Sequence, residues 1–331
     1  KGASGGAKII YHHSELINNL NNFSSQVIHI KKKKTAKWKT SFNKKFKITK
    51  GIETGWQLNE IEATKKFKYD WFRNKISIKE NLNFEKKKDF VILPEIFAHL
   101  ASDLLVKNKI KYAIFVQNGY SINFTNNLKK LELAYSKAEF ILSYSSDISE
   151  CIKLNFPKLK TEIIKIKYSI ASNSIKKRVR KKNLITYMSR KLPVHSNHVV
   201  LLLKKYLPKN WKIKDLNNID EKLVYRNLQE SKVFLAFSNL EGLPLPPVEA
   251  ALAGNYVVGY TGEGGKDYWK KPIFTEIYSG DIRNFVKKTL EKVNKYNSKS
   301  KMLKQQYNKL AKEFSKQNEI VHIKKFLKKT F

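Results

Sequence analysis

The chain has 331 residues, enough for two domains of ordinary size, and 41% of them are hydrophobic, so both domains can bury a core. It carries 66 Lys and Arg against 28 Asp and Glu, a formal net charge of +38. Only six of the basic residues are arginine, which reads bases by paired hydrogen bonds, so the charge disfavours nucleic acid as a partner and favours peripheral contact with an anionic membrane or an acidic polymer.

The first predicted element is a helix opened by glycines. Gly5 and Gly6 precede residues 8–20, where isoleucine and leucine recur at helical spacing. A glycine loop at a helix start leaves N–H groups free for a phosphate, and the helix dipole favours an anion there. A flexible glycine terminus is the other interpretation.

A short strand is predicted over 26–30, followed by a lysine-rich segment over 31–50. Trp38, Phe42 and Phe46 are interleaved with these lysines. Such a pattern suits a platform for single-stranded nucleic acid or a membrane-surface patch. A solvated loop is the interpretation that we favour.

The next unit is a strand over 89–93 and a helix over 96–107. Glu95 and His99 would then lie one helical turn apart, where the strand ends. This places them as candidates to hold a hydroxyl group of a bound ligand. An N-terminal acid and a surface histidine would give the same pattern.

The rest of the chain alternates strands with helices, which predicts parallel sheets in an α/β fold. We expect a first domain over 1–172, a linker over 173–182, a second domain over 183–312 and a terminal helix over 313–331 that crosses back to the first domain. The further strands are predicted over 112–117, 140–144, 162–166, 183–188, 211–214, 232–237 and 256–260, and the further helices over 148–155, 199–206, 221–230, 246–254, 299–312 and 317–329.

Two basic residues follow the strand over 183–188. Arg190 and Lys191 lie at the start of a helix, where the dipole disfavours positive charge unless an anion is bound. A diphosphate would supply that anion, although ordinary surface charge remains the alternative. His195 and His198 have no third ligand at a suitable spacing, so we assign them to structure rather than to a metal.

Two carboxylates, Glu241 and Glu249, are separated by seven residues between the strands over 232–237 and 256–260. Glu249 falls in a proline-started helix of small apolar residues, so it would be desolvated without a polar partner. The diol of a sugar is a suitable partner, because hydrogen bonds to a charged acceptor are strong. Both residues are also consistent with acids favoured by a helix N-terminus.

The segment EGLPLPPVE over 241–249 resembles the E-x7-E signature of family-four retaining nucleotide-sugar glycosyltransferases, which have the GT-B fold. This resemblance implies two doubly wound, Rossmann-like domains that face each other across a cleft. It also implies that Glu249 binds the donor ribose and that Glu241 contacts the transferred sugar. Pro244 departs from the pattern, since the family has glycine there and a proline removes one backbone N–H.

The resemblance extends to the diphosphate site. The family places a Gly-Gly loop after its first strand and an Arg, with a Lys about five residues later, against the diphosphate. Arg190 matches, but the residues at the later positions are His195 and Ser196, so Lys191 would have to substitute. No strand pattern precedes the glycines in this sequence. We therefore expect either that a short amino-terminal strand is missing or that the glycine loop is unanchored. The expected donor-binding residues are therefore Gly5, Gly6, Gly242, Leu243, Leu245, Pro246 and Glu249, and the expected catalytic residues are Glu241, Arg190 and Lys191.

The function implied is transfer of a sugar, with retention, from a nucleotide-diphosphate sugar to a carbohydrate or lipid-linked acceptor. Glu95 and His99 are then the acceptor-side candidates. The chain has no D-x-D motif after a strand, so we expect no metal and no other cofactor. The alternative is a catalytically impaired transferase-like module that binds a polyanion or nucleic acid through its basic surface.

The sequence also bears on location. A single cysteine, Cys151, cannot form an internal disulfide, which is consistent with a reducing cytosol. No apolar stretch is long enough to span a membrane, and no signal peptide is recognised. We expect a cytoplasmic protein, with peripheral contact at the inner face of the membrane as a further option.

Overall fold

Two parallel sheets form the framework of the protein. The computed structural model describes residues 5–20, 22–33, 56–65, 76–123, 125, 127–170, 179–296 and 301–331. Trp38, Phe42 and Phe46, which carry the predicted basic and aromatic patch, lie outside these residues. A small antiparallel pair, β1 (Ile30–Lys32) and β2 (Ile61–Ala63), accompanies the two sheets.

The first sheet has four parallel strands in sequential order. Its core is one hydrophobic cluster of buried side chains from β3, β4, β5 and the surrounding helices, and the partly buried isoleucines of β6 pack against it. The strands are β3 (Phe90–Pro94), β4 (Lys111–Val116), β5 (Phe140–Ser143) and β6 (Glu162–Lys165).

The second sheet has five parallel strands in the order β11-β10-β9-β7-β8. The chain passes from β7 to β8 on one side and then returns to the other side of β7 with β9. The strand order therefore reverses between β7 and β9, and such a switch point opens a crevice at the carboxyl ends of the strands, where ligands bind. The strands are β7 (Leu184–Tyr187), β8 (Lys212–Asp215), β9 (Val233–Glu241), β10 (Tyr256–Glu263) and β11 (Phe274–Glu276).

The helices cover the two sheets and confirm most of the predicted helices. Of the nine α-helices among the described residues, the sequence patterns predict seven, with ends that differ by up to six residues, and the helices over 128–137 and 282–294 are not predicted. In order they are α1 (Gly5–Asn18), α2 (Leu128–Lys137), α3 (Ser146–Asn155), α4 (Pro193–Tyr206), α5 (Glu221–Glu230), α6 (Leu245–Leu252), α7 (Ile282–Asn294), α8 (Lys301–Glu313) and α9 (Lys316–Thr330).

Three predictions are corrected. The predicted helix over 96–107 consists of a 3₁₀ segment (Glu95–Leu100) and a π segment (Ser102–Val106) instead of a regular α-helix. The predicted strand over 26–30 is reduced to an isolated bridge at Val27, and β1 begins at Ile30. Strand β9 continues to Glu241 because β10 pairs with its polar end, so Glu241 ends a strand and does not lie in a loop.

The C-terminal helix α9 packs on the first sheet. Its side chains Ile323, Phe326 and Leu327 belong to the core of that sheet, whereas Leu310 and Phe314, at the end of α8 and just after it, belong to a core of the second sheet. The C-terminal segment thus connects the two sheets. No helix among the described residues is long and apolar enough to cross a membrane.

Lys181 has a structural role that a basic linker does not predict. Its ammonium donates to the carbonyl oxygens of Ser231 at 2.7 Å, Ala253 at 2.6 Å and Leu228 at 3.4 Å. These carbonyls lie at the C-terminal ends of α5 and α6, where helices leave acceptors without partners. Burial lowers the pKa of Lys181 to about 7.

Candidate functional site

Two predicted site residues meet at the switch point of the second sheet. Lys191 follows β7 and Glu241 ends β9, and the Lys191 Nζ lies 3.0 Å from the Glu241 Oε1. Arg190 is exposed beside them and has no ion pair with any described residue. The carboxyl edge of the second sheet therefore carries two cations, one of which is balanced by an acid.

The turn that holds these cations is fixed by Asp215 at the end of β8. Its carboxylate accepts from the Ser189 hydroxyl at 2.5 Å, the Ser189 N–H at 3.3 Å and the Asn217 N–H at 2.9 Å. One charged acceptor with three donors holds a backbone strongly. The side chains of Arg190 and Lys191 therefore extend from a rigid turn.

The second acid, Glu249, lies inside the first turns of α6 and is largely buried. Prolines open this helix as predicted, and Gly254 with φ of +86° follows its end. The Tyr225 hydroxyl of α5 lies 3.4 Å from the Glu249 Oε1. Burial raises the pKa of Glu249 to about 6; the nearby Lys8 charge and the Tyr225 hydrogen bond oppose this rise, and the Glu221 charge adds to it.

The glycines Gly5 and Gly6 form the first turn of α1. The Gly6 carbonyl accepts from the Gln117 side chain at 3.3 Å, which places this turn at the carboxyl edge of β4. A Cβ at Gly5 would have no atom of the described residues within 4 Å. Residues 1–4, which precede these glycines, lie outside the described residues, so the expectation of a missing strand or an unanchored loop stays a prediction.

The loop after Glu241 touches the first sheet. A Cβ at Gly242 would lie 2.3 Å from the Gln117 carbonyl oxygen and 2.7 Å from the Ile148 side chain, so only glycine fits there. Leu243 packs against both cores and Leu245 against the first, while Pro246 stays in the first turn of α6. The edges of the two sheets thus face each other in contact.

Lysines of the first half of the chain pair with acids of the second. Lys8 pairs with Glu221. Lys165 lies 2.9 Å from Asp267, whose carboxylate also accepts from the Ser146 N–H at the start of α3. Lys167 lies 2.6 Å from Glu313, so three ion pairs of the same polarity join the two halves.

Glu95 and His99 are buried and are held by backbone groups. The two Glu95 oxygens accept from the N–H groups of Gln117 at 3.0 Å and Asn118 at 3.2 Å, and burial raises the pKa of Glu95 to about 7. His99 Nε2 donates to the Trp56 carbonyl oxygen at 2.7 Å. In a 3₁₀ segment with three residues per turn the two side chains do not share the face expected of an α-helix. Their role toward an acceptor stays a prediction.

Other expectations concern metal and histidine. His195 Nδ1 lies 3.2 Å from the Tyr260 hydroxyl, in keeping with a structural role. Over the part of the chain that the structure describes, no group of three His, Cys, Asp or Glu side chains is placed to hold a metal ion. The expectation of a reaction without metal or cofactor stays a prediction.

Comparison with solved structures identifies the fold of the chain. The crystal structure of TarM matches with a TM-score of 0.57 over 74% of this chain and 55% of that chain, at 14% identity. HepE from Anabaena in complex with UDP and glucose matches with a TM-score of 0.57 over 74% and 78% of the two chains, at 11% identity. Both neighbours are GT-B glycosyltransferases. The chain has the GT-B fold.

A third neighbour gives the same result. The pneumococcal O-GlcNAc transferase GtfA in complex with UDP and GlcNAc matches with a TM-score of 0.50 over 75% of this chain and 57% of that chain, at 17% identity. The chain thus spans a little over half the length of TarM and GtfA. No protein-family model and no curated protein matches the sequence. The prediction of two Rossmann-like domains is confirmed, and the assignment to family four stays a prediction.

Sequence reasoning missed Lys8, Tyr225 and Asp215. Asp215 ends a short strand, and an acid at a carboxyl edge of a parallel sheet was a signal that could have been read. Lys8 and Glu221 are 213 positions apart in the chain, so no local pattern indicates their pairing. Tyr225 lies on an amphipathic helix and carries no motif.

Proposed function

We propose that the protein is a glycosyltransferase that moves a sugar from a nucleotide-diphosphate sugar to a carbohydrate or lipid-linked acceptor. The observation that carries the proposal is Glu249, a half-buried carboxylate on the helix after β9, beside the switch point of the second sheet. Its hydrogen-bond partner among the described residues is one tyrosine hydroxyl at 3.4 Å. A ribose diol supplies the donors that such a carboxylate lacks.

The cations beside the switch point support a diphosphate next to that ribose. Lys191 and Arg190 stand on a turn fixed by Asp215, so their charges are in place before the donor arrives. Fixed charges stabilise the negative charge that develops on the leaving diphosphate, because the protein does not have to reorganise during the reaction. In our proposal these two residues replace a metal ion.

The proposed reaction retains the anomeric configuration. The bond from the anomeric carbon to the diphosphate oxygen breaks while the acceptor oxygen attacks from the same face. The acceptor proton passes to the departing phosphate oxygen, so no protein base is needed. Glu241 lies beside Lys191, where in this proposal it contacts the transferred sugar.

A uridine diphosphate sugar is the donor class to test first, because GtfA and HepE were crystallised with UDP. The experiment is a thermal-shift screen of UDP, GDP, ADP and their sugars, followed by assay of nucleotide release. A ligand at about 100 times its dissociation constant adds about 2.7 kcal/mol to the free energy of unfolding. We expect one nucleotide diphosphate to raise Tm by several degrees and its sugar to be consumed.

The alternative is a module that binds a polyanion through its basic surface. In that case no nucleotide would raise Tm, and binding to heparin or single-stranded nucleic acid would fall steeply with salt. This pair of results would overturn the proposed enzyme. Peripheral contact with an anionic membrane is a separate proposal, which sedimentation with phosphatidylserine vesicles tests.

A further inference from the structure

Four side chains connect the first turns of α1 to Glu249, the half-buried acid of α6. Lys8 pairs with Glu221 on α5, and the Tyr225 hydroxyl lies 3.4 Å from the Glu221 Oε1 and 3.4 Å from the Glu249 Oε1. The sequence of contacts is therefore Lys8, Glu221, Tyr225, Glu249. It begins in one half of the molecule and ends in the other.

A phenol has one hydrogen, and an ionised carboxylate is only an acceptor. The Tyr225 hydroxyl can therefore donate to Glu221 or to Glu249, but not fully to both. Glu221 has a second source of hydrogens in the Lys8 ammonium, which carries three. While the Lys8 ammonium donates to Glu221, the Tyr225 hydroxyl can donate its hydrogen to Glu249.

We propose that Tyr225 is a positioning residue of the donor site, which orients the Glu249 carboxylate toward the ribose, and that Lys8 supports it through Glu221 when the two halves are in contact. This inference rests on the proposed function, because it concerns the same site. In this proposal Lys8 of α1 couples contact between the two halves to the orientation of the Glu249 carboxylate.

The charges around Glu249 agree with this arrangement. Burial raises its pKa to about 6, Lys8 and Tyr225 oppose the rise, and Glu221 adds to it. Tyr168 of the first half is also within electrostatic reach of both acids. Loss of the Tyr225 hydroxyl would therefore raise the pKa of Glu249 further and leave less of it ionised at a given pH.

The test is calorimetric titration of UDP into the full chain and its variants Tyr225→Phe, Lys8→Met and the double variant, from pH 5 to 8. We expect Tyr225→Phe to weaken UDP binding about 3- to 10-fold and to move the acid limb of the binding curve to higher pH. Lys8→Met should cause a smaller loss. If it acts through Tyr225, the double variant should bind no more weakly than Tyr225→Phe alone.

Matched controls are Tyr206→Phe and Lys153→Met, which change exposed residues outside the site and should leave UDP affinity unchanged. Unaltered affinity and pH limb in Tyr225→Phe, or losses that multiply in the double variant, would overturn the inference. The proposed function would still stand in that case, provided that Glu249→Ala weakens binding. A wild-type chain with no affinity for UDP would overturn both.

Discussion

Lys191 and Glu241 form an ion pair of 3.0 Å across the point where the strand order of the second sheet reverses. The two residues come from strands that are adjacent in the sheet but distant in sequence. When no anion is bound, Glu241 balances the charge of Lys191 and so keeps this lysine at the crevice. An incoming diphosphate would share that lysine with Glu241.

Lys191→Met is expected to slow sugar transfer more than it weakens donor binding. The lysine would act mainly on the charge that develops on the leaving group, and loss of one such group costs about 100-fold or more in kcat. Steady-state kinetics with the donor identified in the screen measures the change. Lys204→Met on the exposed face of α4 is the matched control, and equal kcat values for the two variants would refute the assignment.

Gly242→Ala is expected to separate the two halves. The added Cβ would lie 2.3 Å from the Gln117 carbonyl oxygen, a backbone atom that cannot move aside without its strand. Small-angle scattering should show a larger radius of gyration than for the wild-type chain. Gly5→Ala, where no atom of the described residues lies within 4 Å of the added atom, should leave the radius unchanged; identical curves for all three proteins would contradict this description of the interface.

Lys181→Met is expected to lower the free energy of unfolding by about 2 kcal/mol or more, because orphaned buried carbonyl oxygens cost about 1–3 kcal/mol each. The affected oxygens are those of Ser231 and Ala253, at 2.7 Å and 2.6 Å. Urea unfolding measures the loss. The neighbouring Lys182 is exposed and pairs with Glu230, so Lys182→Met should cost less than about 1 kcal/mol. A larger loss of stability in Lys182→Met than in Lys181→Met would contradict the structural role of Lys181.

Glu319 should make the protein sensitive to acid. Burial would raise its pKa, but hydrogen bonds from His12, His13 and Ser169, with attraction to His12, lower it to about 2. A folded pKa below the unfolded value stabilises the protein above pH 4.5, and this stability is lost as the pH falls toward 2, by about 3 kcal/mol in all.

Urea unfolding of the wild-type chain and of Glu319→Gln between pH 5 and pH 2.5 measures this effect. The variant should be less stable at pH 5, and the difference between the two proteins should shrink as the pH falls. A difference that stays constant would show that Glu319 does not titrate in this window.

The sequence anticipated elements whose signals are local. The helix predicted over 221–230 matches α5 at both ends, and the structure shows local reasons for this, since Asp220 caps the helix and its apolar residues recur at helical spacing. The end of β9 was missed because Asn239, Leu240 and Glu241 do not form a strand-like pattern, and pairing with β10 extends the strand. Leu240 even takes a positive φ of 49°, a conformation that only tertiary contacts impose.

The candidate site divides in the same way. The spacing of Glu241 and Glu249 was visible in the sequence, and so was the pair Arg190 and Lys191. The contact of Lys191 with Glu241 depends on strand order, which no single segment encodes. The partner of Glu249, Tyr225, lies 24 positions away on another helix and could be found only in the folded chain.

In the proposed enzyme, Glu249 binds the ribose of the nucleotide. The most direct measurement compares the affinities of UDP and 2′-deoxy-UDP for the wild-type chain and for Glu249→Ala by calorimetry. We expect the wild-type chain to prefer UDP by about 10-fold, since one hydrogen bond to a charged acceptor contributes about 1.5–3 kcal/mol, and the variant to bind both ligands equally. The same preference for UDP in both proteins, or no preference in either, would contradict the account.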